Sequence, residues 1–308
     1  MGKDIIEETL ESKIIERVLP EIKEKVMKEV DDLTKTVTKR IKTVTVIKPD
    51  GTKTNQTDFV HEKFEEILTL VNNNIPVMLT GGAGSGKSST CEKVAQALGL
   101  DFYFSNAITQ EYKLTGFIDA MGNYQETQFY KAFKNGGLFL LDEIDASVPE
   151  ALVILNTAIA NGYFDFPNGK IEAHENFRIV ACANTYGLGG NDVYVGRNQL
   201  DGASLDRFAV IYFDYDPVLE KTLVLNEDWA EFIQLLRIRI QQRQIKHIVS
   251  MRATLYGDKL IQAGVEIDTI LTQIVFKNLQ PDDLKSIGSL PDKNNKYIHA
   301  FNAFIESC

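Results

Sequence analysis

The stretch VMLTGGAGSGKSST, residues 77–90, decides the reading of this chain. Four uncharged residues run into nine, Gly81 to Ser89, that hold four glycines, three serines and one lysine. Gly81, Gly86, Lys87 and Ser88 follow the G-x-x-x-x-G-K-S spacing of a phosphate-binding loop. Glycines let successive backbone N–H groups converge on a phosphate at the start of a helix, where the helix dipole also favours negative charge. Lys87 is placed to neutralise the outer phosphate oxygens, and the Ser88 hydroxyl to complete a Mg2+ shell. A plain turn uses glycine for positive φ but has no use for a lysine and a serine at these offsets. The expected cradle is Gly81, Gly82, Ala83, Gly84, Ser85, Gly86, Lys87, Ser88 and Ser89.

Further along the chain, GGLFLLDEID (136–145) places Asp142 and Glu143 where a buried parallel strand would end, which is where open α/β sheets bind their ligands. Asp142 is expected to hold Mg2+ through water, and Glu143 to orient and deprotonate an attacking water. FRIVACAN (177–184) ends a strand in Asn184, whose neutral amide can hold that water; an asparagine closing a strand through a turn is the plainer alternative. GRNQLDGASLDRF (196–208) contributes Arg197 and Arg207, and VSMRATLYG (249–257) contributes Arg252 at the start of a helix. Taken singly, each arginine reads equally well as a solvated surface residue.

In this order, the stretches PVMLTGGAGSGKSS, LLDEID, FRIVACANT and RNQLDGASLDRF resemble AAA+ ATPases of the MoxR/dynein-related branch, most closely CobS-like ATPases, relatives of the small ATPase subunit of aerobic cobalt chelatase. The resemblance covers residues 42–256. It implies a P-loop α/β three-layer sandwich with a five-stranded parallel sheet of order 5-1-4-3-2, followed by a helical lid. It also implies ATP and Mg2+ as ligands, and assembly into a homo-oligomeric ring, with six members expected and sites shared between neighbours. Carried over, Gly81, Gly86, Lys87 and Ser88 become Walker A, Asp142 and Glu143 Walker B, and Asn184 sensor 1. Arg207 becomes the arginine finger acting in trans, and Arg252 the sensor 2 residue that contacts nucleotide. Arg197 has no certain counterpart and is the second candidate for the trans contact. The expected client is a protein, one carrying a von Willebrand-type metal-dependent adhesion domain.

Around these motifs the chain alternates helical patterns with short apolar runs: helices over 59–71, 88–99 and 149–162, and strands at 75–80, 101–105, 136–141, 177–184 and 208–215. Unalternating strands separated by helices indicate a parallel sheet covered on both faces. Three regions are expected: an N-terminal helical extension over 1–41, an α/β domain over 42–217 entered by a hairpin around Pro49-Asp50-Gly51, and a helical lid over 218–308. The extension is an amphipathic pattern over 4–33 divided at Pro20. The stretch 114–137 reads as an inserted element whose Tyr124, Phe129, Tyr130 and Phe133 either grip a substrate or simply pack. Residues 164–177 read as a hairpin turning at Pro167-Asn168-Gly169, with His174 as a structural hydrogen-bonding residue.

Composition sets outer bounds. With 33 Lys and Arg against 43 Asp and Glu the net charge is −10, which opposes non-specific nucleic-acid binding. Three dispersed cysteines fit neither a disulfide framework nor a metal site, and a reducing cytoplasm is expected. No apolar run approaches the roughly 20 residues of a membrane span. The rival readings are a metal-chelatase subunit, a nucleic-acid motor using the basic run Arg237, Arg239, Arg243, Lys246 and His247, and a nucleotide switch with negligible turnover.

Overall fold

The structure is a computed structural model and describes residues 41–47, 53–187, 189–190, 194–291 and 294–307, together with Lys25 and Lys28, which are helical. Apart from those two lysines, the amphipathic pattern over 4–33 lies outside the described residues, as does the Pro49-Asp50-Gly51 turn. β1 (Ile41–Ile47) and β2 (Lys53–Phe59) pair antiparallel, with Ile41 opposite Phe59 and Ile47 opposite Lys53. Because β2 runs to Phe59, the helix expected from residue 59 begins only at Phe64 and becomes α1 (Phe64–Asn72). The intervening His61 stacks on Phe213 at 3.8 Å, which holds the chain against the end of the sheet before the helix starts.

The central sheet comprises β3 (Val77–Thr80), β4 (Phe102–Ser105), β7 (Gly137–Leu141), β10 (Phe177–Ala183) and β11 (Ala209–Tyr212). Their order is β11-β3-β10-β7-β4, all parallel, which is 5-1-4-3-2 by position along the chain, as expected. Alternate side chains of each strand enter opposite layers. Leu138, Leu140, Val180 and Cys182 pack with Phe64, Ile67 and Val71 of α1 and with Cys91 and Val94 of α2 (Lys87–Ala97). Phe139, Leu141, Ile179 and Ala181 face Phe129 and Phe133 of α4 (Gln128–Asn135) and Leu152 and Leu155 of α5 (Pro149–Asn161). Burial on both faces explains why β3 and β7 contain no charged residue.

The inserted stretch folds as a one-turn helix α3 (Tyr112–Thr115), a small hairpin of β5 (Phe117–Ile118) and β6 (Tyr124–Gln125), and α4. Phe129, Tyr130 and Phe133 are buried among Phe139, Phe166 and Phe177, and the half-buried Tyr124 donates its hydroxyl to Thr115 O at 2.6 Å. Packing therefore accounts for all four aromatics. The large apolar residues this element exposes are Tyr112, Phe117, Ile118 and Met121, the last 86% exposed at the hairpin turn. A second hairpin joins β8 (Tyr163–Phe166) to β9 (Gly169–Glu172), and His174 Nδ1 beyond it accepts from Asn176 N.

A short helix α6 (Gly202–Leu205) precedes β11, and from Pro217 onward the chain is helical: α7 (Pro217–Thr222), α8 (Glu227–Gln242), α9 (Met251–Gln262), α10 (Ile267–Ile270), α11 (Pro281–Ile287) and α12 (Lys296–Ser307). These helices close around Trp229, Phe232, Leu236, Tyr297 and Phe301, a core separate from the two sheet layers. Among the described residues, no helix is long and apolar enough to cross a membrane.

Candidate active site

The loop from Gly81 to Gly86 leaves the C-terminal end of β3 and enters α2 through Gly86, which is left-handed at φ 98°. Two of its glycines are required by their neighbours. A Cβ on Gly81 would fall 2.0 Å from the Phe213 carbonyl oxygen. Gly84 has φ 71°, and a Cβ there would lie 3.0 Å from Ser250 Oγ and 3.6 Å from Arg252 Cγ. The phosphate loop therefore touches the N-terminus of α9, and Arg252 stands over it.

Lys87 is only 6% exposed, and its ammonium donates to Gly81 O at 2.8 Å, Gly82 O at 2.9 Å and Asn184 Oδ1 at 3.1 Å. All three donors of the ammonium are thus used within the loop and the end of β10. Burial lowers its pKa from the ordinary lysine value, outweighing the opposing pull of Asp142 and Asp145. Ser88 Oγ donates to Asp142 Oδ2 at 2.7 Å, so a hydroxyl and a carboxylate stand side by side where the loop ends. Two hard oxygen donors with room for water are what Mg2+ takes. Ser85 Oγ, buried in the same loop, has no hydrogen-bond partner among the described residues.

Glu143 sits just past β7 in the left-handed region, φ 53° and ψ 43°, uncommon for a residue with a side chain and often found at functional sites. Its N–H donates to Asp142 Oδ1 at 2.9 Å, which holds this conformation. Lys87, Ser88, Asp142, Glu143 and Asn184 share one cleft of about 720 Å3 with Ala83, Gly84, Gly86, Ser89 and, from the lid, Leu223, Met251, Arg252 and Leu255. Arg207 is elsewhere. It lies in the turn between α6 and β11 and donates to Ala203 O, outside the lining of this cleft.

Arg197, the second candidate for a contact to a neighbour, is engaged within its own chain: Nη2 lies 2.9 Å from Glu143 Oε1 and Nη1 lies 3.3 Å from Asp145 Oδ1. The sequence reading passed over Asp145. Fully buried, Asp145 receives Asn184 N, Thr185 N and Thr185 Oγ1 on Oδ2 and Arg197 on Oδ1. Its signal is the third acid of LLDEID, set between Ile144 and Ala146, where a buried charge has to be paired. Two tyrosines were also missed. Ala83 N donates to Tyr194 Oη, and Tyr215 Oη donates to Ala83 O, each at 2.9 Å, so the two peptide groups flanking Ala83 in the phosphate loop are each held by a tyrosine. The Tyr215 ring lies 4.0 Å from the Arg237 guanidinium, and Arg237 forms a bidentate pair with the buried Glu220. Arg237 and His247, which bonds Val275 O, are thereby tied into the lid rather than offered to a polyanion.

A phosphate loop at the end of β3, paired acids at the end of β7 and an arginine from the C-terminal helices meet in one cleft, an arrangement suited to a nucleotide and the hydrolysis of its phosphate. The model of the AAA domain (dynein-related subfamily) matches residues 76–208, and that stretch is an AAA domain. An uncharacterised protein of Staphylococcus epidermidis is 29% identical over 191 residues, which is 56% of this chain and 69% of that protein. The CbbQ protein of Hydrogenophilus thermoluteolus is 28% identical over 224 residues, 67% of this chain and 81% of that one. Among solved structures, NtrX of Brucella abortus aligns with a TM-score of 0.45 at 16% identity, covering 96% of this chain and 57% of the NtrX chain. The chain thus spans little more than half of that solved structure.

Proposed function

We propose that the chain is a Mg2+-dependent ATPase that assembles into a ring and spends ATP on remodelling or activating a protein partner. The observation that carries the hydrolytic part is the single cleft that gathers Lys87, Ser88, Asp142, Glu143, Asn184 and Arg252. Lys87 leaves the loop carbonyls for the phosphates, and the loop N–H groups with the α2 terminus hold the β-phosphate. Ser88 and Asp142 would hold Mg2+, which when bound neutralises charge on the β- and γ-phosphate oxygens. Glu143 takes the proton of the attacking water, and the Asn184 amide orients that water. Arg252 reads the γ-phosphate from the lid.

Ring assembly is supported by the position of Arg207 outside its own chain's cleft, available to a neighbour's site. A protein client, including one with a von Willebrand-type adhesion domain, is supported by the motif resemblance and by the exposed hairpin at Phe117, Ile118 and Met121. The CbbQ protein is among the relatives and no chelatase is needed to explain the site, so cobalt insertion stays a narrower alternative. A nucleic-acid motor is disfavoured by the net charge of −10 and by the internal pairing of Arg237. The test is Glu143→Gln: it should bind Mg-ATP, hydrolyse it about 10²–10⁴-fold more slowly, and retain its partner on purification. Near wild-type turnover by this variant would overturn the reading.

A further inference from the structure

Among the charged groups that the proposed reaction leaves unused, the guanidinium of Arg197 bridges two carboxylates, Glu143 and Asp145. Its side chain is 13% exposed, while the Glu143 carboxylate it touches is 44% exposed and lines the cleft. One end of the guanidinium is fixed to Asp145, a carboxylate with no exposure at all. Oδ2 of that carboxylate accepts the backbone N–H groups of Asn184 and Thr185. Asn198 N, one residue beyond the arginine, donates to the Asp145 carbonyl at 2.6 Å, and Asn198 Nδ2 to Ser147 O at 2.9 Å. The segment carrying Arg197 is therefore bound along its length to the turn that follows β7.

The geometry points to Arg197 as a positioning residue acting in cis, which holds Glu143 at the angle needed for water activation and ties it to Asn184 through Asp145. Glu143 is the exposed member of this chain of contacts, a long side chain on a left-handed residue whose carboxylate, among the described residues, is held by Arg197. A guanidinium is suited to the task because its planar fork can hold two carboxylates in fixed relative orientation, which an ammonium does poorly. Asp145 supplies the fixed point: buried and saturated with donors, it cannot follow Glu143. The same segment carries Tyr194, whose hydroxyl receives the N–H of Ala83 in the phosphate loop. The base, the sensor asparagine and the phosphate loop are thereby all connected to residues 194–198. A finger inserted into a neighbour's site would instead have to abandon both carboxylates, leaving Asp145 with one oxygen buried and unpaired by charge.

This inference rests on the reading of Glu143 as the base, and the experiment separates the two. Steady-state ATPase and equilibrium ATP affinity are measured for Arg197→Ala, Arg197→Lys, Asp145→Asn and Glu143→Gln. Misplacing a reacting group by an ångström costs on the order of 10²-fold. Arg197→Ala should therefore lose kcat by about that factor with ATP affinity within about threefold of wild type, and Arg197→Lys should recover part of the loss. Asp145→Asn should lose kcat in the same direction, and thermal unfolding of all variants identifies any that fail to fold. Arg197→Lys serves as the folded test if the alanine variant does not survive. Mixing Arg197→Ala with Glu143→Gln subunits should give no activity above the Arg197→Ala residue, since no site then has both groups in one chain. Wild-type kcat in both Arg197 variants, a fall in ATP affinity matching the fall in kcat, or recovery on mixing would each overturn the inference. Retained hydrolysis by Glu143→Gln alone would instead overturn the base.

Discussion

Ser88 Oγ donates to Asp142 Oδ2 across 2.7 Å and so joins the end of the phosphate loop to the end of β7. The two strands concerned, β3 and β7, are not neighbours; β10 lies between them. The hydrogen bond therefore sets the distance between two oxygens that a metal ion would have to share. Asp142→Asn keeps the shape and loses the charge. It should raise the Mg2+ concentration needed for half-maximal ATPase by at least about tenfold, since second-shell or weak carboxylate ligands typically contribute 10–100-fold in metal affinity. A Mg2+ titration unchanged from wild type would remove Asp142 from the metal site.

Lys87 and Glu143 are expected to fail in different ways. Lys87→Ala takes a positive charge from the phosphates and should weaken ATP and ADP binding strongly, whereas Glu143→Gln should leave binding intact. Equilibrium titration with a fluorescent nucleotide separates the two. Because the buried ammonium is held by Gly81 O, Gly82 O and Asn184 Oδ1, Lys87→Ala also orphans two loop carbonyls. A lower unfolding temperature should accompany the lost affinity.

Arg252 stands beside Gly84 at the N-terminus of α9, a lid helix, so its contact to nucleotide would link the occupant of the loop to the lid angle. Arg252→Ala should weaken ATP more than ADP, because the γ-phosphate is the group it loses. Isothermal titration with both nucleotides checks this, and equal losses would place Arg252 away from the γ-phosphate.

Asp258 holds the start of α8 in the lid. Burial alone would raise its pKa, but hydrogen bonds from the Asn226 side chain, Leu225 N, Asn226 N and Gln262 bring it below the ordinary aspartate value. A carboxylate with a depressed folded pKa stabilises the fold above its unfolded pKa, about 3.9, and that contribution is lost as pH falls through the folded value. Asp258→Asn should therefore cost about 1–3 kcal/mol near neutral pH, with the difference from wild type shrinking below about pH 4. Urea unfolding at pH 7 and pH 3.5 measures both.

The parts of the molecule legible in the sequence are those in which one local pattern forces one structure. VMLTGGAGSGKSST could be placed because glycine spacing, an apolar strand and a helix start all agree, and GLFLL because a strand buried on both faces tolerates no polar residue. The late start of α1 was hidden, since β2 and the stacking of His61 on Phe213 depend on partners about 18 and 150 residues away. Asp145 and Arg197 were hidden for a similar reason. They are 52 residues apart, and nothing in either segment announces that the arginine will turn back onto its own chain. Tyr124, Phe129, Tyr130 and Phe133 had a spacing compatible with gripping or packing, and partners distant in sequence, Phe139 of β7, Phe166 of β8 and Phe177 of β10, decide for packing.

Shared sites in a ring are tested most directly by mixing two inactive proteins. Arg207→Ala should bind ATP yet hydrolyse it about 10³–10⁵-fold more slowly, as loss of an arginine finger does. Its subunits keep Glu143, and Glu143→Gln subunits keep Arg207. When the two are combined under conditions of confirmed subunit exchange, about one interface in four pairs an intact base with an intact finger. The ATPase rate of the mixture should then rise to roughly a quarter of the wild-type rate. A mixture as inactive as its two components would contradict a site completed by the neighbouring subunit.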